Sequence, residues 1–418
     1  MEYVVHLKRL EQQSTSPAKR AFKRLLRNRS AIVGLGVISI AVSMALLGYL
    51  ITPDSTPNAN DQVLQINNKP PGFKVTMLKA RKNRDIPQRS VIGKMFFGQQ
   101  NLYDLIPITA WHFDGGDIVY TEYTGQTKTS DEKRMSLADV VYATSLKDPK
   151  VQVNGTQVTF KDINEKVITN DISTLQQQVT QNNIETKKYT LGTDLYGRDI
   201  LSRLIIGVRV SLSVGLVAVL ISITIGVFLG SLAGYFRGFT DDVIMWFINV
   251  VWSIPTILLV FAMTMAFDVS KRSIWMLFIA IGITMWVDAA RIVRGQVMAL
   301  REVQFVEAAE SLGFSHARII FLHILPNILG PLIVIAAADF ASAILIEAGL
   351  SFLGIGVEAN TPTWGRMLSE NYGYIISSKS IFLALVPGIA IMLLVLAFNL
   401  LGSGLRDAMD VKTRLQGN

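Results

Sequence analysis

Long apolar blocks and one broad polar stretch divide the chain. AIVGLGVISIAVSMALLGYLI, residues 31–51, carries no charge. At about 1.5 Å per residue such a run reaches across a ~30 Å hydrocarbon core as a helix. It is long for a signal-peptide core and no small-residue cleavage site follows, so it is expected to stay as a span. A polar region runs from about 52 to 206. Five more apolar runs follow: 210–236 and 243–267, both uncharged; 273–287, short and expected to continue past Asp288; 324–347, apolar except for Asp339 and Glu347; and 380–405, uncharged. Pro255 and Pro387 interrupt these runs and are expected to kink them. The pattern predicts an all-α polytopic membrane protein with six transmembrane helices.

Within the polar region the periodicity changes. VQVNGTQVTF, 151–160, alternates apolar and polar residues around Asn154-Gly155. Asn-Gly accepts the positive φ angles of a type I′ turn, so the spacing predicts a hairpin. DIVYTEYT, 117–124, suits a strand, and QQQVTQNN, 176–183, is expected to be solvated. A small β-containing domain is predicted between about 55 and 185.

Half of the 418 residues are hydrophobic, and mean hydropathy is +0.37, values that suit a membrane protein with a sizeable polar part. The net charge of +8 is not a nucleic-acid footprint, because its Lys and Arg form no stripe with interleaved aromatics. Instead Lys19, Arg20, Lys23, Arg24, Arg27 and Arg29 crowd before the first apolar run. Under the positive-inside rule this flank places both termini in the cytoplasm, 52–206 and 348–379 outside and 288–323 inside. Lys271 and Arg272 lie on the outer side of that scheme and count against it. The chain has no cysteine, hence no disulfide, thiolate metal site or thiol nucleophile. GxxxxGK[ST], HExxH, GxSxG and EF-hand patterns are missing from the sequence. No residue is assigned a catalytic role or a metal, and ATP is not hydrolysed through a P-loop of this chain.

Charged residues near the spans have local explanations as well as functional ones. Asp194 with Arg198, and Asp199 with Arg203, are i,i+4 pairs in a helix-prone segment that also holds Arg209. They either satisfy one another at an interface or touch cargo. Asp288 and Arg291 are expected to pair locally. Asp339 and Glu347 are costly inside a span, and candidate pathway residues for that reason; Glu347 has the alternative of ending at the water interface.

VEAAESLGFSHARIIFLHILPN, 306–327, is a short polar insert between two spans. Gly313 is placed to end one short helix, Ser315 to cap a second, and Pro326 marks the approach to the next span. Val303, Val306, Ala309 and Leu312, three apart, are expected to share a face, with Glu307 and Glu310 on another. Ala308 and Ala309 would let a partner surface approach closely. The alternative is an amphipathic helix resting on the membrane.

Glu307-Ala308-Ala309, Gly313 six residues after Glu307, and then Leu325-Pro326 resemble the EAA loop of ABC-importer permeases. His323, where many members carry isoleucine, resembles the peptide-transporter branch; as a bare residue it reads as a structural histidine. LGTDLYGRDILSRLIIGVRVSLSVG (191–215), EAGLSFLGIGVEANTPTWGRMLSE (347–370) and VPGIAIMLLVLAFNLLGSGLRDAMD (386–410) are similar to segments of dipeptide and oligopeptide permeases. The resemblance covers most of 15–50 and nearly all of 190–412. Trp246 and Asn249 depart from it, standing where relatives often have arginine and aspartate, and the insert between the first two spans is longer than the family norm.

The resemblance implies the type I (MetI-like) importer permease fold. It implies a cytoplasmic N-terminus (1–30), a first span (31–51), an extracytoplasmic insert (52–190) and an outer interfacial segment (191–209). A five-helix core (210–405) with a coupling loop (302–326) and a cytoplasmic tail (406–418) complete the chain. Peptide import through the bacterial cytoplasmic (inner) membrane is then expected. The partners would be a second homologous permease subunit, two P-loop ATPase subunits that bind ATP and Mg, an extracytoplasmic substrate-binding protein and membrane lipid, with no nucleic acid and no cofactor held by this chain. The alternatives are a permease for nickel or another small solute, or a stand-alone secondary transporter using Asp339 and Glu347.

Overall fold

The computed structural model describes residues 17–125, 131–145, 151–266, 273–356, 360–374 and 380–409. Lys271, Arg272, Asp410 and part of the 347–370 segment lie outside them, as do most of the expected tail and the first 16 residues.

Helix α1 (Pro17–Leu25) leads to α2 (Arg29–Ile51) through Asn28, whose side chain accepts from Ser30 N and Ala31 N and so caps the first span. The chain then enters a small α/β domain. Strand β1 (Phe73–Arg81) is followed by a short helix, α3 (Val91–Phe97), then β2 (Tyr103–Asp114), β3 (Asp117–Glu122) and β4 (Glu132–Ser136). After α4 (Leu137–Val141) come β5 (Gln152–Asn154), β6 (Gln157–Lys161), β7 (Val167–Asp171), α5 (Ile172–Gln178) and β8 (Ile184–Tyr189). One antiparallel sheet runs in the order β4-β3-β2-β1-β8 and a second in the order β5-β6-β7. Leu78, Ile118, Leu137, Val158, Phe160 and Leu175 form one core that joins both sheets to α4 and α5.

The hairpin forms, with its turn shifted by one residue. Asn154 pairs with Gln157, so Gly155 and Thr156 make the loop, and only Gly155 has positive φ (+61°). That is the glycine-first II′ arrangement rather than Asn-Gly type I′. Residues 176–183 are solvated on one face only: Gln177, Thr180, Gln181 and Asn182 are exposed, Val179 and Asn183 buried. They finish α5 and form a π turn, Val179–Asn183, in which buried Asn183 donates to Lys79 O (2.7 Å) and Val140 O (3.0 Å). Leu175 and Val179 face the core, and a polar run with two such positions is enough to build a half-buried helix.

The membrane part contains α6 (Ile200–Phe236), α7 (Gly238–Trp252), α8 (Thr256–Met265), α9 (Ile274–Arg301), α10 (Gln304–Ser311), α11 (His316–Arg318), α12 (Leu325–Phe352), α13 (Trp364–Asn371) and α14 (Phe382–Met409). Among the described residues five helices are long and apolar enough to cross a bilayer, and the α7–α8 pair makes a sixth span if counted as one. That pair is not a kinked helix. It is broken, with its halves 83° apart. Pro255 lacks an N–H and pushes Ile254 out of helical geometry, and the chain restarts with Pro255 as the cap of α8. Pro387 sits inside an unbroken α14. As expected, the short apolar run near 273 continues past Asp288.

Helix α6 is the longest contact surface. Gly226, Gly230 and Gly234, four apart, turn toward α9. A Cβ at Gly230 would stand 2.5 Å from Ala290 O, and one at Gly234 would stand 2.6 Å from Arg294 O. Small residues at helical spacing let two backbones meet, which is how helices associate where lipid removes the hydrophobic driving force. Helix α12 packs on α6 and α14, and α2 packs on α14 and α6. Gly230→Val forces α6 and α9 apart. We expect a loss of about 1–3 kcal/mol, read as a lower thermal midpoint of the purified protein in detergent; an unchanged midpoint would show that the seam is not tight.

Candidate functional site

At the end of α6 remote from the β domain lies the 302–326 loop. Helix α10 ends as foreseen. Gly313 has φ +76°, Gly313 N bonds Glu310 O (2.9 Å) and Phe314 N bonds Ala309 O (3.2 Å), the paired bonds of a Schellman motif. Ser315 caps α11 by accepting from Arg318 N. Helix α11 does not stop before the next span. It passes through a π turn, Ile319–Ile324, into α12, with exposed Pro326 at the second position of α12. A wider turn absorbs the missing N–H and the ring of a proline that a regular helix would reject.

Of the four residues expected to share a face, Val306 and Ala309 are buried, whereas Val303 is 39 % and Leu312 72 % exposed. Val303 and Leu312 are the residues that cap α10 at either end and lie outside the helix, so the shared face is only two residues long. Val306 and Ala309 pack with Tyr235, Val293, Val297 and Ile319, tying α10 to the ends of α6 and α9. Tyr235 latches the loop. Its hydroxyl meets Glu310 Oε1 and His316 Nδ1, each at 3.0 Å, while Arg301 stacks over its ring and donates to its carbonyl. Arg237 adds bonds to Glu302 Oε1 (2.7 Å) and Met298 O (3.2 Å). Glu310 is thus occupied within the chain, whereas Glu307 and Ala308 face solvent with no side-chain partner among the described residues. His323 is half-buried and stacks on Phe314, ring centroids 5.8 Å apart. Leu325 is half-buried at the start of α12.

The charged residues of the fifth span separate. Asp339 lines a cavity of about 370 Å³ beside the α7–α8 break, together with Trp252, Pro255, Thr284, Asp288 and Ser342. Ser222 Oγ donates to Asp339 Oδ2 at 3.2 Å. Glu347, two turns on, does not line that cavity. It is fully buried and accepts from Ser351 Oγ at 2.7 Å, so it is not at a water interface. Nor do Asp288 and Arg291 pair. Arg291 reaches across to Asn249 Oδ1 (2.9 Å) and stacks over Trp252 (4.4 Å).

On the β-domain side, 191–199 is a string of turns rather than a helix. Asp194 Oδ1 accepts from Tyr196 N and Arg198 N, folding the loop around its own carboxylate. Arg198 pairs with Asp194 at 2.6 Å, as expected, and with Glu370 at 2.7 Å. Arg203 does not pair with Asp199. It lies 3.7 Å from Asp194 and 3.5 Å from Glu370, because Asp199 turns back to cap α6 through Ser202 N. Burial pushes the Asp199 carboxyl above the usual carboxylate range, and its bonds from Ser202 pull the other way. Glu370 and Tyr235 are the two hubs, and only Glu370 has a local marker, its i,i+4 pair with Arg366 (3.0 Å). Each is joined to partners 66 to 172 residues away.

Residues 226–415 match the family model described as binding-protein-dependent transport system inner membrane component, and 16–71 match the N-terminal TM domain of oligopeptide transport permease C. The dipeptide transport system permease protein DppC of Alkalihalophilus pseudofirmus is 42 % identical over 54 % of this chain and 73 % of its own length. The glutathione transport system permease protein GsiD of Pectobacterium atrosepticum is 38 % identical, again over 54 % of this chain and 73 % of its own. An inward-facing structure of the MetNI methionine ABC transporter is a distant likeness, with TM-score 0.40 and 19 % identity over 50 % of this chain and 97 % of that one.

Tyr235→Phe removes the hydroxyl that joins α6 to Glu310 and His316. We expect a loss of about 0.5–1.5 kcal/mol confined to the loop, seen as faster amide exchange over 304–318 with the exchange of α9 unchanged; unchanged exchange in the loop would mean that Val306 and Ala309 hold it alone.

Proposed function

Since the chain belongs to the family of binding-protein-dependent transport system inner membrane components, and is a multi-pass permease of an ATP-binding-cassette importer rather than an enzyme, we propose that its cargo is a dipeptide or short oligopeptide. The N-terminal match to oligopeptide permease C and the name of the dipeptide relative support this. The relative named for glutathione stays within the class, since glutathione is itself a tripeptide.

In this reading the chain pairs with a second, related permease. Two ATPase subunits bind ATP and Mg on the cytoplasmic side, and a binding protein delivers peptide to the opposite face. Both termini are cytoplasmic and the β domain is extracytoplasmic, the placement the basic flank before α2 favours. The permease core takes the type I importer arrangement, α7 and α8 forming its broken third span.

The observation that carries the mechanism is the two-faced α10. One face, Val306 and Ala309, is locked onto the ends of α6 and α9. The other presents Glu307, Ala308 and Leu312 to solvent. An exposed carboxylate beside a small residue suits a protein groove better than a lipid surface. An ATPase closing on that face would push α6, α9 and, through the π turn, α12 as bodies, tilting the spans between two states. The differential free energy resides in the docking contact. Asp339 lines the space between α9, α12 and the α7–α8 break, and is assigned to the cargo pathway on that ground. Glu347, buried outside that cavity, is assigned to holding the β-domain end of α12.

Glu307→Lys and Gly313→Asp should leave the chain inserted and lower peptide uptake and ATPase co-purification at least about tenfold, the size of a typical coupling loss; normal uptake in both variants would sink the docking assignment. Asp339→Asn should lower uptake with the ATPase still bound, whereas wild-type uptake would remove Asp339 from the pathway.

A further inference from the structure

The insert carries one surface that neither the transport reading nor its own core explains. Helix α3 leaves Val91, Ile92 and Phe97 each 66 % exposed or more and Phe96 48 % exposed, while none of its residues is buried. An aqueous domain does not keep two phenylalanines, a valine and an isoleucine adjacent and uncovered without a use.

Its position says what covers it. Helix α3 packs beside α2, whose 23 residues extend about 35 Å, slightly more than a hydrocarbon core. The contact is with the last turn of α2. Gly98, which ends α3, has positive φ (+69°) and backs onto the Tyr49 ring and Ser55 O so closely that a Cβ would stand 3.1 and 2.8 Å from them. Arg209 of α6 donates to Phe96 O (3.1 Å) and stacks over Tyr49 (5.0 Å). Arg209 is also the residue at which the charge-free stretch 210–236 begins. Tyr49 and Arg209 therefore both mark the depth at which apolar spans give way to headgroups, where aromatic and basic side chains collect. At that same depth Leu46, Leu47, Leu50 and Ile51 of α2 are exposed. The exposed apolar side chains of α3 and those of the last turns of α2 thus lie at one level.

The flanks agree. Arg89 closes the end of α3 by donating to Phe97 O (2.8 Å) and Gly98 O (3.0 Å), and Lys94 is half-buried on the helix itself. A short apolar helix bordered by cations matches a segment lying in the interface, its apolar side about 5–10 Å into the headgroup and acyl boundary. The insert is stiffly joined to the spans at this point. Asp54 N bonds Ser202 Oγ (3.0 Å), and Thr193 links both ends of the insert through Ile66 O and Lys69 N.

We propose that α3 is a membrane-surface anchor: it lies in the lipid leaflet on the β-domain side and holds the insert at a set height over the ends of α2 and α6. The occupant of its apolar face is lipid, because α3 packs at the level where the exposed apolar side chains of the first span end. The inference rests on the span assignment alone and not on the identity of the cargo.

The chain has no cysteine, so a single introduced thiol is a clean probe. The full chain carrying Ile92→Cys or Phe96→Cys is spin-labelled and placed with its partner subunits in phospholipid vesicles. Collisions with oxygen, which concentrates in lipid, are compared with collisions with a water-soluble nickel chelate. Val153→Cys, on the exposed edge of the second sheet, serves as the aqueous control. The proposal expects oxygen collisions several-fold above nickel collisions at 92 and 96, and the reverse at 153. Nickel access at 92 and 96 equal to that at 153 would overturn it, placing α3 in water. Shielding from both probes that disappears when the partner subunits are removed would overturn it in favour of a protein occupant.

Discussion

The close approach of α6 and α9 is the contact on which the rest depends. Three glycines at intervals of four bring two backbones together with no side chain between them. In lipid, where apolar side chains gain nothing by leaving solvent, such fits and buried hydrogen bonds supply what association there is. Because α6 runs the full height of the bundle, this seam fixes both ends at once. One end of α6, capped by Asp199 through Ser202, carries Arg203 into the ion-pair cluster around Glu370; the other presents Tyr235 to Glu310 and His316.

A single rigid helix therefore connects the loop expected to meet the ATPase with the mouth expected to receive cargo. The bonds at the two ends differ in kind. At the loop end they are few and partly exposed, suited to a joint that must yield. At the β-domain end Arg198 and Arg203 are nearly inaccessible and face Asp194 and Glu370. Buried ion pairs of this sort contribute little net stability but are costly to break one partner at a time, so they favour a unique arrangement of the mouth. The insert grows from that stiff end. Its two chain ends bond one another through Thr193 and bond α6 through Ser202, so the β domain sits on the spans without a flexible linker.

Much of this was legible in the residues. Six apolar runs foretold five long helices and a broken sixth, because helix length against bilayer thickness is a local count. Gly313 and Ser315 announced their caps, because the bonds involved span five residues or fewer. Errors arose where a local rule met a longer-range one. Asn-Gly lost its turn position to Gly-Thr because the register of β5 on β6, and of β6 on β7, decided which residues turned. The expected pairs Asp199–Arg203 and Asp288–Arg291 dissolved because each arginine found a partner on another element.

The sequence by itself determined the spans, the basic flank, the caps of the 306–327 loop and the family, since each is written in consecutive or nearly consecutive residues. Tertiary structure alone decided that Glu310 is latched while Glu307 is free, that Asp339 borders a cavity while Glu347 does not, and that an uncovered helix of the insert lies level with the end of the first span. Those facts depend on which side chains meet across tens or hundreds of residues. No periodicity in a linear chain encodes that; close packing of helices does.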